Sequence, residues 1–207
     1  LRLTRPRAAA PPIDSPSAGG DNAPAMAEAH EPDPVKLICG ILTAAPAVLD
    51  EAAGALAEAF GPVNLASETM DFDFTHYYDA EMGTPLRRRF VAFAEPVRPD
   101  ALADAKRRTN AIERAFAARP DAPYPRPVNL DVGYLTPAKL VLASMKDFAH
   151  RVYLGGGVYA EVTLLRRGGA WRALPWTFPD YASGRYDAFL DAARRRLREQ
   201  LRREGPT

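Results

Sequence analysis

The sequence predicts an α+β fold whose first half is ferredoxin-like, a βαββαβ antiparallel sheet with two helices on one face. Three observations carry this. From Val35 to Leu135, short apolar runs and longer amphipathic runs alternate in the order strand, helix, strand, strand, helix, strand. Proline or glycine marks most junctions, at Pro46, Gly61-Pro62, Gly83-Thr84-Pro85, Pro99 and Pro120. After Leu135 the pattern continues as a short helix, a β-hairpin and a C-terminal amphipathic helix.

The elements follow in order. Lys36 to Thr43 is a short apolar run and reads as a buried strand. Pro46 suits the first turn of a helix in which Leu49, Ala53, Leu56 and Phe60 recur every three to four residues, and Gly61-Pro62 stops it. A second strand begins near Val63 and ends in the strictly alternating Met70 to Phe74. Arg88 to Ala94 is the third strand. Pro99-Asp100 opens a helix with an apolar face of Leu102, Ala105, Thr109, Ile112 and Phe116. Val128 to Leu135 is the fourth strand. Thr136-Pro137 reads as N-cap and first turn of a short helix reaching about Phe148. Three glycines join Val152–Leu154 to Val158–Leu165 as a hairpin. A turn at Gly168-Gly169 leads to Trp171–Trp176, and Tyr186, Phe189, Leu190, Ala193, Leu197 and Leu201 stripe the last helix.

Composition sets the outer bounds. The 207 residues are 47% hydrophobic and 26% charged, which is globular composition and excludes a wholly disordered chain. With 27 basic and 26 acidic side chains, bulk charge singles out no nucleic-acid or membrane partner. The single cysteine, Cys39, excludes an internal disulfide framework and fits a reducing, cytoplasmic compartment. No run approaches the roughly 18 apolar residues of a membrane span, so the chain is read as soluble.

Residues 1–34 hold seven of the twenty prolines and show no apolar period. Such a segment cannot offset its ordering entropy and is expected to be disordered. Its five acids, Asp14, Asp21, Glu28, Glu31 and Asp33, argue against a transit peptide. Met26 is expected to be the biological start, and residues 35–207 to form a single α+β domain.

The phosphate loop GxxxxGK[ST], GxGxxG after a strand, HExxH and GxSxG are all absent. Gly155-Gly156-Gly157 reads as a tight hairpin turn in preference to a phosphate cradle. Asp71 and Asp73 share one face of an alternating strand, and could hold Mg²⁺ or Mn²⁺ with Glu161 joining across the fold. The plainer account is a solvated strand end with Phe72 and Phe74 facing the core. Lys139, Lys146 and His150 fall at spacings of seven and four, one face of the expected helix, with Arg151 and Tyr153 following. That set suits an anionic ligand, with His150 and Glu161 as acid–base residues. Its competitor is an ordinary surface helix face. The arginines of the last helix raise RNA binding, but Asp187, Asp191, Glu199 and Glu204 dilute them, and a solvated face is the stronger account.

Several long stretches resemble a bacterial family catalogued as domain of unknown function 4416. They are Met70 to Gly83, Val128 to Ala143, Lys146 to Leu154, Val158 to Thr163 and Trp176 to Tyr181. The likeness runs from about Val35 into the C-terminal helix. It implies that the segments around Asp71, Lys139, Lys146, His150 and Glu161 are the recognisable parts of the domain, without implying a reaction. The family pattern has an acid where this chain has His76, which weakens a role for that histidine. Some members carry a GTP-binding label; with neither a phosphate loop nor NKxD here, the label is not carried over.

The functional expectation is binding, and turnover where His150 acts, of a small phosphate- or carboxylate-bearing ligand. The alternatives are a metal-dependent phosphohydrolase using Asp71 and Asp73, and an RNA-binding or protein-interaction module.

Overall fold

β1 (Lys36–Thr43) is buried along all eight residues because both of its faces are covered. Leu37, Cys39 and Ile41 pack under two helices, α1 (Pro46–Phe60) and α3 (Leu102–Ala117). Ile38 faces the other way, against Tyr186 and, in α5 (Asp187–Glu204), Phe189, Leu190 and Ala193. A strand covered on both faces must read as a continuous apolar run, and Leu37–Leu42 does. The computed structural model describes residues 29–204. The expected start at Met26 and most of the expected tail lie outside the described residues; residues 29–34 have no regular structure.

The remaining strands are β2 (Val63–Ala66), β3 (Met70–Phe72), β4 (Leu86–Phe93), β5 (Asn129–Leu135), β6 (Lys139–Ser144), β7 (Val152–Gly155), β8 (Val158–Arg167) and β9 (Ala170–Ala173). Short helices α2 (Asp79–Met82) and α4 (Pro179–Ala182) complete the set. The sheet order is β2-β4-β1-β5-β6-β8-β7, with β3 also beside β4 and β9 also beside β8, all antiparallel. Its first part, β2-β4-β1-β5, has the ferredoxin-like order, with α1 and α3 on one face. The α+β class therefore stands.

Two elements differ from the sequence reading. The expected second strand is two strands, β2 and β3, both paired along β4 and separated by Ser67–Thr69. The expected helix from Thr136 to Phe148 is instead β6, closing a hairpin with β5. Thr136 Oγ1 accepts from the N–H groups of Ala138 (3.1 Å) and Lys139 (3.0 Å), the same hydroxyl service that an N-cap performs. Here it turns the chain back. The buried run Leu140–Ala143 then pairs with β8. A short apolar run suits a buried strand as well as a buried helix.

Candidate functional site

The β5–β6 pairing ends early. Leu135–Leu140, Tyr134–Val141 and Gly133–Leu142 are in register, and no pair continues beyond. A Cβ on Gly133 would collide with the Val141 carbonyl oxygen, so the strands meet closely here before they part. In the parted region, side chains of α3 hold the β5 backbone. Glu113 Oε1 accepts from the Leu130 N–H at 2.7 Å, and Lys106 Nζ donates to the Leu130 carbonyl at 3.0 Å. Burial pushes the Glu113 carboxyl above the usual range, against Lys106 and the Leu130 N–H.

On the opposite sheet face lies Arg88, its side chain only 3% exposed. It reaches from β4 across Gly40 of β1 to Asp131 of β5, donating through Nη1 to Oδ2 at 2.7 Å. Its Nη2 lies 3.6 Å from Asp180 Oδ2 of α4, which accepts from the Tyr186 hydroxyl at 3.1 Å. The guanidinium also lies against the rings of Phe72 and Phe90, 5.1 and 5.7 Å from their centroids. Burial raises the Asp180 carboxyl against the pull of Arg88. Burial alone would raise Asp131 too, but Arg88 and Lys106 outweigh it and hold that carboxyl below its usual range. Asp131 keeps 31% of its side chain exposed, so the cluster opens to solvent there.

The second group centres on Glu161 of β8, 2% exposed. Its Oε2 accepts from Arg151 Nε at 2.7 Å and lies 3.1 Å from His150 Nε2. Arg151 Nη1 donates to Ser144 Oγ (2.7 Å) and to the Lys146 carbonyl (2.8 Å), fixing the loop between β6 and β7. The His150 ring lies nearly parallel to Phe148 and Trp176, with centroids 5.9 and 5.2 Å away. Trp176 is anchored by its Nε1–H to the Val162 carbonyl. Lys146 Nζ is 3.5 Å from the Tyr77 hydroxyl. With Nε2–H given to Glu161, Nδ1 is the nitrogen left for proton exchange or an anion contact.

Strand register puts both groups on one sheet face. Gly40 pairs with Asp131, Gly133 with Leu142, and Leu142 with Glu161. Antiparallel partners, and residues two apart, point to the same side, so Arg88, Asp131, Ser144 and Glu161 share it. The residues span five strands of the sheet, from β4 to β8, on either side of the place where β5 and β6 part.

The model of the family described as domain of unknown function (DUF4416) matches residues 33–197, a span holding every residue of both groups. The chain belongs to the DUF4416 family. Neither the curated proteins nor the solved structures give a match.

Within this DUF4416 domain the expected site residues are placed as follows. His150, Arg151 and Glu161 are brought together, with Lys146 beside them. Lys139, Lys146 and His150 do not share a helix face, because no helix forms there. Lys139 opens β6 opposite Leu165, whereas Lys146 follows the strand's other end. At about 3.3 Å per residue, the six-residue strand sets its two ends about 16 Å apart, with Lys139 at one and Lys146 beyond the other. Tyr153 is exposed on β7, where its hydroxyl accepts from the Gly157 N–H. Asp71 pairs with Arg87, and Asp73 with Arg185 Nη1 at 3.0 Å, both carboxylates being exposed. Among the described residues no group of three His, Cys, Asp or Glu side chains is placed to hold a metal.

Arg88, Asp131, Asp180, Lys106 and Glu113 escaped the sequence reading. One signal was present. Gly40 interrupts an apolar strand, and a glycine there marks close approach of another group. A Cβ at Gly40 would lie 2.8 Å from Arg88 Nη1. Two shallow grooves of about 270 and 210 Å³ lie elsewhere, beside α1 and α3, and contain none of these residues.

Proposed function

We propose that the chain binds a small ligand bearing phosphate or carboxylate on the sheet face where β5 and β6 part. Its anionic group meets Lys146 and His150, and His150 exchanges the proton where turnover occurs. The observation that carries this is the buried Glu161 carboxylate, which holds Arg151 and His150 at once. A carboxylate behind an imidazole fixes its tautomer and ring orientation, the arrangement acid–base chemistry uses. Arg151 is spent on Glu161, Ser144 and the Lys146 carbonyl, so it positions the loop and leaves direct contact to Lys146 and His150. Lys139 has no part in this reading. The metal-dependent alternative is weaker, since both of its aspartates are engaged by arginines.

The test is a melting-temperature screen with inorganic phosphate, pyrophosphate and a panel of phosphorylated and carboxylated metabolites, with and without Mn²⁺. A ligand at about 100 times its Kd adds roughly 2.7 kcal/mol, or roughly 5–10 °C for a chain of this size. Lys146→Ala and His150→Gln abolish that shift, and Lys146→Ala leaves the unliganded melting temperature unchanged because the lysine is exposed. A shift that survives both variants, or none across the panel, overturns the reading. A shift that needs Mn²⁺ and is lost in Asp71→Asn/Asp73→Asn replaces it with the phosphohydrolase.

A further inference from the structure

We propose that the ligand carries, beside its anionic group, a hydroxyl that seats between Asp131, Asn129 and Ser144, which makes it a hydroxylated anion such as a polyol phosphate or a hydroxy acid. This specificity rests on the proposed anion site at Lys146 and His150. Gly133 pairs with Leu142, so the same register sets Asp131 across the opened gap from Ser144, with Asn129 two residues further along the same face of β5. Lys106 and Glu113 hold the Leu130 backbone from the opposite face, which fixes the residues on either side of it. Ser144 is two residues from Lys146, about 7 Å of chain at most, so one small ligand reaches both.

The partners of these three side chains settle what each has left to offer. Arg126 donates to Asn129 Oδ1, and a guanidinium has no acceptor, so the atom facing it is the amide oxygen. Asn129 Nδ2 is buried with no hydrogen-bond partner among the described residues, and the residue as a whole is 4% exposed. An unpaired donor at such a depth costs free energy that a ligand acceptor recovers. Ser144 Oγ accepts from Arg151 Nη1 at 2.7 Å and from the Lys146 N–H at 3.1 Å, so both lone pairs are used and its O–H is left to donate. Asp131 gives Oδ2 to Arg88, and a carboxylate keeps acceptor capacity beyond that one bond. Its partly exposed side chain makes that capacity accessible.

The gap thus presents two donors and one acceptor, and a hydroxyl is the group that matches. It donates once, to Asp131, and accepts twice, from Asn129 Nδ2 and the Ser144 hydroxyl. An ammonium accepts nothing and leaves both donors unpaired. A second phosphate or carboxylate donates nothing and brings a like charge to Asp131, which Arg88 and Lys106 hold ionised. A site built to hydrogen-bond a hydroxyl rejects the analogue that lacks it, because its own polar groups are then left unpaired.

Titration calorimetry of the full chain compares probes in pairs that differ only in their hydroxyls: glycerol phosphate with propyl phosphate, ribose phosphate with tetrahydrofurfuryl phosphate, and glycerate with propionate. The phosphate pairs and the carboxylate pair separate the two sources of the anion. In the phosphate or the carboxylate pairs the hydroxylated member binds roughly tenfold or more tighter. Asn129→Asp keeps the oxygen for Arg126 and removes the donor, so the ratio within a pair falls towards one, and the ratio cancels the effect of the added charge on the anion. Lys146→Ala weakens both members of a pair alike. Equal affinity within every pair overturns the proposal and leaves the anion site standing, and this comparison on the parent chain decides even where the variant fails to fold. Aminopropyl phosphate binding more tightly than glycerol phosphate overturns it too, as does a ratio that Asn129→Asp leaves unchanged. Binding of none of the probes overturns the anion site and the hydroxyl specificity together.

Discussion

Replacing Arg88 by Met isolates the energetics of the buried cluster. Methionine keeps much of the apolar stem against Phe72 and Phe90 and deletes the charge. Asp180, 6% exposed, then loses its cation, while Asp131 at 31% can still draw on water. Removing one partner of a buried ion pair costs about 3–5 kcal/mol, because the other charge stays buried and uncompensated. For a chain of this size that lowers the melting temperature by roughly 6–20 °C. The pH dependence has a definite sign. Asp131, whose carboxyl is lowered, contributes stability above the ordinary carboxylate range and loses it as pH falls through its folded value. Asp180, whose carboxyl is raised by burial, acts the opposite way: its stability is present at low pH and lost as pH rises through its folded value. Without Arg88 both carboxyls move up, so the variant's deficit is largest at pH 7 and narrows towards pH 4.5. Melting curves by circular dichroism at the two pH values measure it. A melting temperature within about 2 °C of the parent at pH 7, less than 1 kcal/mol on this scale, refutes the ion-pair account. So does a deficit independent of pH.

Three further outcomes follow from packing. Gly40→Ala puts a methyl group 2.8 Å from Arg88 Nη1 and 2.9 Å from Phe90 Cε1, and costs about 1–3 kcal/mol of overpacking; Gly54→Ala, with nothing within 4 Å in α1, instead gains about 0.5–1 kcal/mol in the same denaturant titration. Cys39 is wholly buried and its thiol is pushed up by that burial, so a thiol reagent labels the native chain only at its unfolding rate, and prompt labelling would contradict the packing of β1.

Much of the fold was legible because the signals are local. Pro46 and Gly61-Pro62 bound α1, whose observed span begins at Pro46 and ends at Phe60. The alternation and glycine spacing of Val152–Leu165 gave the β7–β8 hairpin. His150, Arg151 and Glu161 were legible as candidates, and they do meet, because a hairpin brings neighbouring stretches of chain together. The metal reading of Asp71 and Asp73 had less to rest on. Alternation places two carboxylates on one side of a strand but says nothing about the arginines opposite them.

The order of elements from β1 to β5, apart from the division of β2 from β3, was determined by the sequence itself, since periodicity, capping residues and breakers act within a few residues of one another. Tertiary structure decided whatever depended on a partner distant in the chain. Thr136-Pro137 satisfies a turn and a helix start equally, and Leu140–Ala143 suits a buried strand or a buried helix; β8 settled both by offering a strand to pair with. That pairing dispersed Lys139 and Lys146 to opposite ends of β6. Arg88 bonds Asp131, 43 residues away, and approaches Asp180 from another element altogether. Beyond the glycine at position 40, no local pattern records such a cluster, because a buried charge is stabilised by whichever opposite charges the fold brings to it.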